Sequence, residues 1–266
     1  MRHFFFAASL AAALPFHGLL GQFEKIAPAA KGRVGVAAQL LESGETADLH
    51  GEEHFPMHSV YKLPISMAVL QRVDHGELKL DQKVKIEPSD FVRTGMYSPV
   101  RDKYPGGTEL TIAELLRYTI CESDGSTSDV LMKLIGGPGS IMAFLEEIQV
   151  PNIQVVNSEK EIGRDWETQY RNWATPKGAL ALLVALQSQR GLSRESQALL
   201  LKLMTEAIPG ETPQRRIACW NRSRTQDRHR RHSQRHHLCD QRHRHYHSAR
   251  WPTPGRGRIR LRFRRQ

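Results

Sequence analysis

The chain has 266 residues, 39% hydrophobic and 25% charged, with a formal net charge of +10 and three cysteines. That length fits one large domain or two small ones. The charge is unevenly placed: residues 214–266 hold 17 Arg against only Asp227 and Asp240, about +15, so residues 1–213 carry about −5 and read as an ordinary, mildly acidic globular sequence.

Met1-Arg2-His3 and the apolar run Phe4–Phe16 have the charged start and short hydrophobic stretch of a secretory signal peptide, assigned to residues 1–21. The run is too short for a membrane span. The expected compartment is periplasmic or secreted. Cys121 is the one cysteine of the body, so a free buried thiol is expected and no disulfide framework.

Residues 22–50 read as a short helix followed by a hairpin. Strands are predicted at 33–41 and 46–50 around the turn Glu42-Ser43-Gly44-Glu45. A hairpin alone cannot bury a sheet face, so further strands are expected. Residues 51–213 read as mainly helical. Helical apolar spacing marks 59–74, 111–121, 126–135, 138–147, 176–189 and 194–207, with Gly76, Gly136-Gly137-Pro138 and Gly191 as punctuation. Residues 81–107 read as a connection rich in charge, proline and glycine. Thr111 stands at an N-cap with Glu114 at the capping-box position.

The stretch with most chemistry is His58-Ser59-Val60-Tyr61-Lys62-Leu63-Pro64. A serine and a lysine three residues apart share a helical face. A serine hydroxyl becomes nucleophilic when a base takes its proton, and a buried lysine is able to serve. A helix N-terminus adds N–H donors where an oxyanion would form. Ser-x-x-Lys alone is equally an N-cap and a surface lysine, so its partners decide. They are Tyr97-Ser98-Pro99-Val100, a turn at Ser123-Asp124-Gly125, and an acidic segment Asn157-Ser158-Glu159-Lys160-Glu161.

Together these motifs resemble the class A serine β-lactamases over roughly residues 23–213, and Val60-Tyr61-Lys62-Leu63-Pro64-Ile65 with Gln169-Tyr170-Arg171-Asn172-Trp173 resembles the extended-spectrum subgroup. The resemblance implies an α+β fold: an all-helical domain beside an α/β sandwich domain that is incomplete in this chain. It implies a monomeric β-lactam hydrolase working through a serine acyl-enzyme, with a small-molecule β-lactam as partner and neither a metal nor an organic cofactor. In it Ser59 is the acylated nucleophile and Lys62 the proton acceptor or relay. Ser123 passes a proton to the leaving nitrogen, and Asp124 fixes its loop. Tyr97 lines the cleft, and Glu159 activates the deacylating water, with Glu161 the second choice. Gly125 stands where the family has an asparagine that holds the substrate's acylamide. Gly163 stands where a side chain helps hold the water. The family's Lys-Thr-Gly is missing after residue 213.

The tail from about Asn221 is Arg, His, Gln and Ser without helical or strand period. A basic nucleic-acid-binding tail is one reading of it, and a His-rich metal site another, without recognisable ligand spacing. The genetic code offers a third. Thr225-Gln226-Asp227-Arg228 written ACA CAA GAC CGG becomes His-Lys-Thr-Gly when read one base later, and residues 251–264 become an apolar, strand-like run. The tail is then an out-of-frame product from a slip near residues 210–221, and a chain of low stability and little activity is expected. Rival functions are a penicillin-binding D-Ala-D-Ala carboxypeptidase or esterase sharing Ser-x-x-Lys, and a non-enzymatic nucleic-acid binder.

Overall fold

Helix α2, Lys62–Asp74, is the hub of the helical part, and nine of its thirteen residues are buried. A helix apolar on most of its circumference must be covered on most sides. In the computed structural model, which describes residues 16–207, it packs against α4 (Ile112–Cys121), α5 (Gly125–Leu134), α6 (Pro138–Glu147) and α9 (Arg194–Glu206). Ile65, Met67, Val69 and Leu70 of α2 meet Leu115, Leu116, Leu131, Ile141, Leu145 and Leu200 in one buried cluster. The α2 C-terminus is tied to the α9 start through Asp74, whose carboxylate accepts from Ser193 N, Ser193 Oγ and Ser196 Oγ at 2.6–2.7 Å.

The chain enters through α1, Leu19–Ile26, and a 3-10 turn at Ala27–Ala30. The expected signal segment, residues 1–21, lies mostly outside the described residues. β1 (Val36–Gln39) and β2 (Thr46–Leu49) form the predicted antiparallel hairpin, from Val36 opposite Leu49 to Gln39 opposite Thr46. It packs on α1 and on α8, Pro176–Gln187. Helices beside small antiparallel sheets give the α+β fold that the motifs imply.

The stretch 81–107 is more ordered than a connection. Lys83–Ile86 forms β4, α3 spans Pro99–Lys103, and Thr108–Thr111 forms β5, antiparallel to β4. Lys-Val-Lys-Ile alternates charge and apolar side chain, which suits a half-buried strand but is only four residues long. Cross-strand Lys83 and Glu109 pair at 3.2 Å. Thr111 and Glu114 close the predicted capping box at the start of α4.

A third small sheet positions the site. β3 (Phe55–Pro56) and β6 (Ile153–Gln154) both pair antiparallel with the central β7, Trp173–Ala174. β3 precedes Ser59, while β6 and β7 stand at the two ends of the 155–172 loop that contains α7, Glu159–Ile162. One short sheet therefore sets the loop and the serine segment against each other. Asn172, fully buried, closes the neck: its Oδ1 accepts from Val156 N and Asn157 N at 2.8 and 2.9 Å, and its Nδ2 donates to Asn157 O at 2.7 Å. Its carbonyl accepts from Met57 N, two residues before Ser59, at 3.0 Å.

Cys121 is free and buried, and its thiol faces Leu203 O. The Lys-Thr-Gly reading and the tail from 214 lie outside the described residues.

Two substitutions test the ordering of these contributions. Leu116→Ala, at a fully buried core position, should cost about 2–5 kcal/mol, and Thr111→Ala, which removes only the cap, about 1 kcal/mol. Urea midpoints of the two variants should fall in that order.

Candidate active site

Ser59 sits on a 3-10 turn, His58–Tyr61, that runs directly into α2. The predicted helix start is thus wound more tightly than an α-helix, and it leaves Ser59 exposed while Tyr61 and Lys62 are buried beneath it. Lys62, 3% exposed, lies under the serine hydroxyl with Nζ 3.3 Å from Ser59 Oγ.

A buried ammonium needs acceptors. Lys62 Nζ donates to Ser123 O at 3.0 Å and reaches Ser123 Oγ at 3.4 Å. The Glu159 carboxylate lies 3.7 Å away through Oε2. Ser123 Oγ in turn is 2.8 Å from Ser59 Oγ. Ser59, Lys62, Ser123 and Glu159, predicted from separate parts of the sequence, thus converge on one cluster.

Ser123 connects α4 to α5 with φ +56, a left-handed conformation that is uncommon for a residue with a side chain. That conformation aims its carbonyl at Lys62 and its hydroxyl at Ser59 together. The backbone is held by Asp124, fully buried at the N-cap of α5. Its carboxylate accepts from Thr127 N and Val100 N, both at 2.8 Å, and from Ser98 Oγ at 3.1 Å. The last two bonds anchor the loop that carries Tyr97. Tyr97 is exposed, and its carbonyl accepts from Gly125 N at 3.3 Å.

Glu159 and Glu161 have separate tasks. Glu161 turns back on its own helix: Oε2 accepts from Ser158 N at 2.9 Å, while Ser158 Oγ accepts from Glu161 N. That capping box holds the Glu161 carboxyl below its ordinary range, chiefly through the Ser158 N–H. Glu159 instead faces inward, where Tyr61 donates its hydroxyl to Oε2. Ser158-x-x-Glu161 is a capping-box sequence and carries the signal that separates the two glutamates.

Asp129, on α5, is a site residue that the sequence did not expose. Its two oxygens accept from Glu159 N at 2.6 Å and Lys160 N at 2.9 Å, fixing the first turn of α7. Burial pushes its carboxyl up to about 7, against the pull of those two N–H donors. Among the described residues, no group of three or more His, Cys, Asp or Glu is placed to hold a metal ion, and no helix is long and apolar enough to cross a membrane.

A fold of this kind, with a serine, lysine, serine and glutamate on one cluster, defines a serine hydrolase class. A family model described as the beta-lactamase enzyme family matches residues 20–218, and the chain belongs to that family. It is 38% identical over 191 residues to β-lactamase VEB-1 of Pseudomonas aeruginosa, covering 71% of this chain and 64% of that one. It is 34% identical to the extended-spectrum β-lactamase PER-1 of the same organism, covering 71% and 61%. The chain therefore spans less than two thirds of the length of these relatives. A crystal structure of a β-lactamase from Chitinophaga pinensis superposes with a TM-score of 0.69 at 38% identity, over 71% of this chain and 70% of that one. The TLA-3 extended-spectrum β-lactamase gives 0.69 at 32% identity, over 73% and 70%. The class A β-lactamase fold expected from the motifs is the fold observed.

The raised Asp129 carboxyl has a consequence for stability. An unfolded aspartate titrates near 3.9, so the folded chain holds this proton up to about 7 while the unfolded chain has released it. The stabilisation is complete below about pH 4 and is lost as pH rises through about 7. Asp129→Asn keeps an acceptor oxygen and removes the titration. Its urea midpoint between pH 5 and 8 should fall less steeply than that of the unaltered chain.

Proposed function

We infer that the chain is built as a β-lactam hydrolase acting through a serine acyl-enzyme, exported to the periplasm or beyond. The observation that carries this reading is the Lys62 ammonium within reach of Ser59 Oγ, Ser123 Oγ and Glu159 Oε2 together. Glu159 takes a proton from the Lys62 ammonium, and the amine so formed takes the Ser59 proton as Oγ attacks the lactam carbonyl. Glu159 returns its proton to Lys62 once Lys62 has passed one on through Ser123. The ring C–N bond breaks as Ser123, 2.8 Å from Ser59, hands a proton to the nitrogen. A water then gives its proton to Glu159 and its oxygen to the acyl carbon, and the C–Oγ bond breaks with the proton returned to Ser59. The Ser59 N–H serves as one oxyanion donor, and Tyr97 borders the cleft.

No residue after 213 supplies Lys-Thr-Gly in this sequence. By likeness to the family, that strand carries the cation for the substrate carboxylate and the second oxyanion N–H. Loss of one such donor lowers kcat about 100- to 1000-fold. The family match ends at residue 218, next to the point where composition turns to Arg and His, which supports reading the tail as out of frame.

The carboxypeptidase and esterase rivals share Ser59 and Lys62 but need no deacylating glutamate. Incubation with a fluorescent penicillin followed by intact-mass measurement separates the readings. The chain should form a covalent adduct on Ser59 that is absent in Ser59→Ala, with chromogenic cephalosporin turnover at least about 100-fold below ordinary enzyme rates. Glu159→Gln should lengthen the adduct lifetime at least about tenfold. An unchanged lifetime favours the carboxypeptidase-type reading, and no adduct at all removes the acyl-enzyme reading. Salt-dependent DNA binding that disappears on deleting 214–266 would favour the nucleic-acid binder.

A further inference from the structure

We propose that Tyr61, the residue between the nucleophile and its lysine, is a positioning residue for deacylation, its hydroxyl holding Glu159 in place for the attacking water. This rests on Glu159 being the deacylating base.

Tyr61 is fully buried, yet its hydroxyl has a place to donate: the Glu159 carboxylate, through Oε2. Lys62 Nζ approaches the same oxygen at 3.7 Å. Both contacts fall on Oε2, so proton abstraction from water falls to Oε1. A carboxylate fixed by one oxygen and reactive through the other is oriented without being neutralised. Hydrogen bonds to an ionised acceptor in a buried setting are about twice as strong as neutral ones.

The groups around Tyr61 come from three elements: Glu159 on α7 and Asp129 with Ser128 on α5 near its hydroxyl, and Lys62 on α2, whose Nζ lies 5.9 Å from the ring centroid. Burial, then the charges of Glu159 and Asp129, hold the phenol well above its ordinary range. It therefore remains a donor from pH 4.5 to 9. A phenylalanine would fill the same space and leave the carboxylate without this donor.

The hydroxyl also supplies something Gly163 does not. The space a Cβ at Gly163 would enter is filled by the flexible end of Met96, and no side chain at that position restrains Glu159. The restraint on Glu159 comes from the α2 side instead.

Tyr61→Phe is the test, made in the full chain and read on the preformed adduct. The chain is labelled with a fluorescent penicillin, freed of excess reagent, and the loss of adduct mass is followed from pH 4.5 to 9. The adduct should decay about ten- to a hundredfold more slowly in Tyr61→Phe, while its formation slows far less. A purely structural tyrosine would lower the urea midpoint and slow formation and decay alike, and that outcome overturns the proposal. Equal decay rates in both chains overturn it as well. If the unaltered chain forms no adduct, the acyl-enzyme reading falls and this proposal with it; if its adduct forms but Glu159→Gln does not prolong it, the base is misassigned and Tyr61 has no such role.

Discussion

The Lys62 ammonium is the constraint around which the site is arranged. It lies almost wholly out of water at the start of α2, nine of whose thirteen residues are buried. Such a charge is tolerated only with acceptors and a counter-charge close by. Only Ser59 Oγ comes from the adjoining turn. The Ser123 carbonyl and hydroxyl come from the α4–α5 turn, and the carboxylate comes from a loop near residue 159. Satisfying one ammonium therefore forces three distant segments together, and Ser59 is left at the exposed edge of what they build.

Two carboxylates support that arrangement without touching Ser59, and they do so differently. Asp124 accepts backbone and hydroxyl hydrogen bonds from Thr127, Val100 and Ser98, so it joins α5 to the Tyr97 loop. Asp129 accepts from the first two N–H groups of α7, where the helix dipole favours a negative charge, and still its proton is retained to about 7. Desolvation outweighs two good donors there. Asn172 completes the frame at the loop neck with an uncharged amide, which avoids that cost.

Regular helices were legible because their signals are local. The Thr111–Glu114 capping box and the proline and glycine bounds of Pro138–Glu147 are written in adjacent residues. The hairpin at β1 and β2 was legible for the same reason. β3, β6 and β7 are two residues each, too short for any periodicity, and exist only because they pair with one another across long stretches of chain. The site divides the same way. Ser59, Lys62 and Ser123 stand in recognisable spacings, whereas Tyr61, Asp129 and Asn172 look like a core aromatic, a helix acid and a loop amide. Their partners lie 98, 30 and 15 residues away, and no local pattern announces such a pairing.

The two glycines that depart from the family pattern are explained by what surrounds them. A Cβ on Gly125 would lie 2.8 Å from Glu159 Cγ and 3.2 Å from the Tyr97 carbonyl, so the glycine opens the space through which the Glu159 side chain reaches Lys62 and Tyr61. Lys62 is braced by the Ser123 carbonyl at 3.0 Å, where an asparagine amide would otherwise contribute. At Gly163 the space is taken by Met96, from the same loop that presents Tyr97. Neither glycine is conformationally required, since both lie outside the left-handed region. The missing side chains are therefore a packing exchange. Room given up at 125 and 163 lets the glutamate and the Tyr97 loop close in. The Ser123 backbone below and the Tyr61 hydroxyl behind then hold the ammonium and the carboxylate that longer side chains would have braced.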